Sequence, residues 1–127
     1  MSDKKAVEEA SRWLLAQKPG FQMEVHLVGN QFMDKNVLAF PHPKNFPRPD
    51  IKEAPLGDIY LNPRYIKAHG EDLIYMLIHG FLHLLGYDHI KKSDRIVMEQ
   101  KERKLLKEYT AHMYAIPGRT GHRIGKH

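Results

Sequence analysis

Three histidines, His79, His83 and His89, stand in an H-x3-H-x5-H spacing within HGFLHLLGYDH, the residue pattern of this chain with the clearest chemical meaning. On an α-helix, residues i and i+4 lie one turn apart on the same face, so His79 and His83 can aim a ring nitrogen at one point. Gly86 permits a positive φ, which lets the chain turn back and bring His89 in as a third nitrogen donor. Three imidazoles leave the fourth tetrahedral position of a zinc ion open to water, as in catalytic rather than closed structural sites. Water held there has its pKa lowered toward about 7 and is a usable nucleophile at neutral pH. The competing reading makes His79 and His83 ordinary core histidines, but core packing does not demand three at this spacing with a glycine between. Asp88 has two readings: it orients a ligand imidazole through the ring's other nitrogen, or it caps the loop turn.

Position 80 narrows the chemistry. In the zinc-peptidase pattern H-E-x-x-H, the glutamate after the first histidine is the general base. Here that position is Gly80, which cannot accept a proton. Glu71 and Asp72 precede His79 by about two turns, too far along a helix rising 1.5 Å per residue to stand in for it. The motif points to a metal hydrolase and away from a peptidase, and no residue identifies itself as the general base. Because the chain has no cysteine, disulfides and thiolate ligands are excluded, and any metal must rely on nitrogen and oxygen.

These histidines need elements to hold them. Glu71 to Leu85 reads as a central buried helix, apolar nearly all round, with acidic residues in its first turn and Gly86 as its terminator. After a loop over 87–92, Ser93 and Asp94 open an amphipathic helix to about Tyr109, with Ile96, Val97, Leu105 and Leu106 as its apolar residues. Upstream, Lys5 to Gln17 has helical spacing after an N-cap at Ser2 or Asp3, and Pro19-Gly20 ends it. Residues 24–28, 37–40 and 57–61 have strand character, and 63–68 suggest a short helical turn. Residues 41–55 hold five prolines and read as an ordered loop.

The length of 127 residues suits one domain, expected over residues 1–112 with a basic C-terminal tail over 113–127. A hydrophobic share of 42% and a charged share of 28% are those of a folding globular chain rather than a disordered one. No apolar run approaches the roughly 20 residues of a membrane span and the start lacks a signal-peptide core, so a cytoplasmic protein is expected. There is no internal repeat. The net charge of +5 favours polyanionic partners, since Lys and Arg displace counterions from phosphates, although it also describes any basic soluble protein.

HGFLHLLGYDH closely resembles HGxLHLxGYDH, the signature of the YbeY family of bacterial rRNA maturation endoribonucleases. Lys35 to Pro41, KNVLAFP, is similar to that family's TDVLSFP strand, and Leu56 to Ile59 to its LGDI strand. Met98, Glu99 and Glu102 resemble the M-x-x-x-E pattern of its last helix, so the likeness covers about residues 24–110. It implies an α+β fold: a small mixed β-sheet packed with helices, the metal at the C-terminal end of a central buried helix and the following loop. It further implies a zinc-dependent, single-strand-specific endoribonuclease acting in 16S rRNA 3′-end maturation and in ribosome assembly or quality control. The cofactor would be Zn2+ on His79, His83 and His89, and the partners an rRNA precursor and the small ribosomal subunit or its assembly factors. Oligomeric state is not read from the sequence.

The chain departs from the family upstream of its VLSFP-like strand. Members carry a segment like LNxxYRGKDKPT there, whose arginine is thought to bind or cleave RNA; here Gly29 to Asp34 runs almost directly into Lys35. Lys35 either restores a positive charge near the site or is simply solvated. Candidate RNA contacts are Lys35, Arg48, Arg64, Lys91, Lys92 and Arg95, with Arg119 and Arg123 on the tail and Phe46 or Tyr87 as stacking surfaces. The alternative function is a non-catalytic RNA-binding or ribosome-assembly factor whose metal is structural.

Overall fold

The helix that carries His79 and His83 is apolar on every side because protein surrounds it. In a computed structural model, which describes residues 2–42 and 54–115, this helix packs against a three-stranded sheet and three other helices. The elements run α1 (Asp3–Ala16), β1 (Phe21–Leu27), β2 (Val37–Pro41), β3 (Ala54–Leu61), α2 (Pro63–Ala68), α3 (Leu73–Leu84) and α4 (Lys92–Ala115). The sheet order is β1-β3-β2, with β1 parallel and β2 antiparallel to β3. The fold is the expected α+β arrangement with a small mixed sheet.

Alternation along β3 divides the sheet into two faces. Gly57, Ile59 and Leu61 are buried against the helices, while Asp58 and Tyr60 between them emerge on the other face. On the helix side, Leu14 of α1, Leu77, Ile78, Phe81 and Leu82 of α3 and Met98 of α4 complete a continuous core with Ile59 and Leu61. Each such side chain contributes roughly 1.5–3 kcal/mol on burial. Gly80 lies in the middle of this contact: a Cβ there would meet Ile59 Cγ2 at 3.0 Å and Val37 Cγ2 at 3.3 Å. The glycine lets α3 lie directly on the sheet, and its position faces the strands rather than the histidines.

Several boundaries differ from the sequence reading for identifiable reasons. Strand structure enters the proline-rich stretch at both ends: Pro41 closes β2, an edge strand, and Pro55 lies at the start of β3 beside the register shift between Gln22 and Met23. Edges and irregular positions are where a missing amide donor is tolerated. Asp72 is the N-cap of α3, its carboxylate accepting from the Ile74 amide, so the acidic pair precedes the first turn rather than filling it. Ser2 caps α1, accepting from Lys5 N at 3.1 Å.

The largest change concerns α4. Its buried residues are Met98, Glu102, Leu105 and Tyr109, a stripe that turns Ile96 and Val97 out to solvent at 45% and 53% exposure. The helix also continues past its expected end at about Tyr109, through Met113, which packs on the core, to Ala115. Arg48, Phe46, Arg119 and Arg123 lie outside the described residues.

Candidate metal centre

The end of α3 is built to stop. Leu85 is its C-cap, Gly86 follows at φ 105°, Gly86 N donates to His83 O at 3.0 Å, and Tyr87 N donates to Leu82 O at 3.0 Å. This pair of hydrogen bonds is the Schellman closure, and its left-handed residue is a glycine because a Cβ is strained there. The reversal brings exposed His89 back beside the helix. Ring centroids of His89 stand 5.5 Å from His79 and 5.0 Å from His83, and one ligating nitrogen of each residue lies within 4.8 Å of the others.

Hydrogen bonds fix which nitrogens are free. His83 Nδ1 donates to the Tyr87 carbonyl at 3.0 Å, and His79 Nδ1 donates to Glu102 Oε2. Both Nε2 atoms are left with lone pairs, and they face each other across 3.2 Å. Two nitrogens each about 2.0–2.1 Å from a tetrahedral zinc ion stand about 3.3 Å apart, so the pair already has the spacing of two ligands. Facing lone pairs repel unless a proton or a cation lies between them. Burial, then the neighbouring His79 and His89 rings, pushes the His83 imidazole below its ordinary value, which disfavours a proton there. The triad therefore fits a metal ion by its chemistry as well as by its spacing.

Glu102 is the site residue that sequence reasoning missed. Its side chain is nearly buried on α4, where Oε2 accepts from His79 and Oε1 accepts from the Tyr75 hydroxyl. Burial alone would raise its carboxyl, but the His79 and Tyr75 hydrogen bonds hold it below the usual carboxylate range. An ionised partner on Nδ1 makes Nε2 of His79 a stronger donor to a metal. The M-x-x-x-E pattern contained this residue, yet only the packing of α4 on α3 shows which ring it meets. Asp88 is exposed and its Oδ1 accepts from Ile90 N at 3.2 Å, the turn-capping one of its two readings.

A cleft of about 450 Å³ opens over the histidines, walled by Lys35, Asn36, Val37, Leu38, Ala39 and Pro41. Buried Asn62 shapes its approach: Nδ2 donates to Asn30 Oδ1 and to Met33 O, both at 2.8 Å, pinning the turn that precedes Lys35. Of the cations named from sequence, Lys35 is in this wall. Lys91, Lys92 and Arg95 are exposed where the chain passes from His89 into α4, and Arg64 lines a separate cleft with Lys67, Leu27 and Val28. Tyr87 packs against the core.

The sequence profile of the family described as Endoribonuclease YbeY matches residues 18–110, a span that holds the whole sheet, the triad and Glu102. The chain belongs to the YbeY family. It is 34% identical over 99 residues to the Endoribonuclease YbeY of Finegoldia magna, covering 68% of this chain and 63% of that protein. It is 39% identical over 94 residues to the Endoribonuclease YbeY of a Wolbachia species, covering 66% and 59%. With the same-named protein of a Mycobacterium species it shares 38% over 90 residues, 61% and 51% of the two chains. The matches thus span about three fifths or less of these curated relatives. Within the YbeY frame, Gly80 is the packing glycine of the helix–sheet contact rather than a peptidase base lost.

Proposed function

We propose that this chain is a zinc-dependent endoribonuclease directed at single-stranded RNA, acting in 16S rRNA 3′-end maturation and in ribosome assembly or quality control. The observation that carries the reading is the pair of Nε2 lone pairs held 3.2 Å apart at the floor of an open cleft. His79, His83 and His89 would hold the ion, with Glu102 and the Tyr87 carbonyl orienting the first two rings. When bound, the ion supplies Lewis-acid polarisation at a phosphodiester. Lys35, in the cleft wall, places a positive charge where a phosphate would enter. A partner of this kind agrees with the net charge of +5. Among the described residues no helix is long and apolar enough to cross a membrane, and we take the cytoplasm as the place of action. The small ribosomal subunit or its assembly factors are the proposed protein partners.

A second reading, an RNA-binding or assembly factor with a structural metal, is favoured by one feature. Only residues 28–36 join β1 to β2, and they include no arginine, where the family segment described above carries one. The two readings separate in a cleavage assay on a labelled single strand and on the same strand in a duplex. The nuclease reading expects zinc-dependent cleavage of the single strand and its loss with chelator. Zinc and RNA binding by the wild type without cleavage supports the structural-metal reading instead.

A further inference from the structure

The face of the sheet turned away from α3 carries a second convergence of metal-ligating side chains. Asp58 projects there from the central strand, because Ile59 beside it faces the core. Parallel pairing sets Glu24 of β1 directly beside Asp58, and His26, two residues on, emerges on the same face. His42 follows the end of β2, held by the hydrogen bond its backbone N–H donates to Leu56 O at 2.9 Å. The two imidazoles take one carboxylate oxygen each: His26 Nε2 lies 3.1 Å from Asp58 Oδ1 and His42 Nε2 3.0 Å from Asp58 Oδ2. Ligating atoms of Glu24, His26 and Asp58 all fall within 4.8 Å of one another. Tyr60 stacks on the His26 ring at 4.5 Å between centroids and 20° between planes, which limits the ring's rotation.

We propose that Glu24, His26 and Asp58 form a second site for a borderline divalent transition cation of the zinc, nickel or copper class, with His42 holding the other oxygen of the Asp58 carboxylate. Imidazole with carboxylate is the donor set this class takes where no thiolate exists, and the chain has no cysteine. An ion taken up by Glu24, His26 and Asp58 replaces the hydrogen bond from His26 with three ligand bonds and leaves Nδ1 to carry that ring's proton, while His42 keeps its bond to Asp58 Oδ2. The ligands come from β1 and β3, so occupancy clips the parallel pair of strands at one point. The site does not depend on the ribonuclease reading, and it shares no residue with the His79 triad.

Zinc is the probe, on the full chain stripped with chelator and then equilibrated by dialysis. The wild type is expected to retain two ions per chain and the His26→Gln, Asp58→Asn double variant one; His26 and Asp58 are 36% and 30% exposed at their side chains, so both replacements are accommodated. In parallel, zinc added to 15N-histidine-labelled wild type is expected to shift the ring nitrogens of His26, identified by their disappearance in His26→Gln. One ion in the wild type with none lost in the double variant overturns the proposal. So does a second ion that survives the double substitution, or zinc titration that leaves the His26 ring signals unmoved.

Discussion

Glu102 and His79 are 23 positions apart, on α4 and α3, and meet through a charge-assisted hydrogen bond from Nδ1 to Oε2. This contact selects the tautomer of His79, so the metal binding proposed for the triad depends on a helix that contributes no ligand. Replacing such a partner costs about 10–100-fold in metal affinity. Glu102→Gln is accordingly expected to weaken zinc binding by that factor in a competition titration with a chromophoric chelator. Glu102→Ala adds a loss of about 2–4 kcal/mol in urea unfolding, because His79 and Tyr75 both lose a buried partner. Unchanged zinc affinity in Glu102→Gln would remove the positioning role.

Tyr75 reports on the same carboxylate. Burial first, then its bond to Glu102 and that group's charge, raise its phenol to about 12 from an ordinary 10.0. Because the folded value lies above the unfolded one, the associated stability is fully present below about pH 10 and is lost as pH rises through about 12. In an ultraviolet titration, one of the six tyrosines should ionise late. That late step is expected to vanish in Tyr75→Phe and to move down in Glu102→Gln; a late step unaffected by either change would assign it to another tyrosine.

Gly80 tests why the peptidase glutamate has no place here. Alanine gains about 1 kcal/mol of helix propensity over glycine. Its Cβ would, however, press on Ile59 and Val37 at 3.0–3.3 Å, and overpacking costs about 1–3 kcal/mol. Gly80→Ala is expected to lose about 1 kcal/mol net in urea unfolding. Gly80→Glu, which puts a carboxylate into the helix–sheet contact, should fail to reach the native far-UV signal. A stable, folded Gly80→Glu would show that α3 does not need this close approach.

Lys35 is the cation the structure places in the cleft wall. Each phosphate contact adds a salt slope of about 0.7 for single strands. Lys35→Ala should therefore weaken single-stranded RNA binding and flatten log K against log[salt] by about that much, leaving zinc content as in the wild type. Arg64→Ala, in a separate cleft, is the control expected to leave the slope unchanged. Equal slopes for wild type and Lys35→Ala would return Lys35 to the status of a solvated side chain.

What was legible in the sequence follows the range of the interactions. The triad and its glycine could be read because they act within eleven residues, where helical geometry and a single turn decide who meets whom. The strands around Asp58 and Val37 were legible for the same reason. Glu102 was not, because its partner is set by how α4 lies on α3, and a charged residue on a mostly polar helix looks solvated until the packing is known. Ile96 and Val97 failed in the opposite sense: they are apolar, yet the stripe that packs is the one through Met98, Glu102, Leu105 and Tyr109. The convergence of His26 and His42 on Asp58 required the register of both strand pairs, which alternation alone does not provide.

The most direct test measures zinc content and single-stranded RNA cleavage on the same preparations of the wild type, His83→Ala and His89→Ala. The account expects the wild type to cleave and both variants to lose one zinc ion and all cleavage. His89 is exposed, so its variant shows the loss without any change in the core. Metal binding also supplies folding energy, so the far-UV signal of each variant is recorded alongside. Cleavage that persists in folded His89→Ala with the triad's zinc gone, or a zinc-loaded wild type that binds RNA and leaves it intact, would contradict the account.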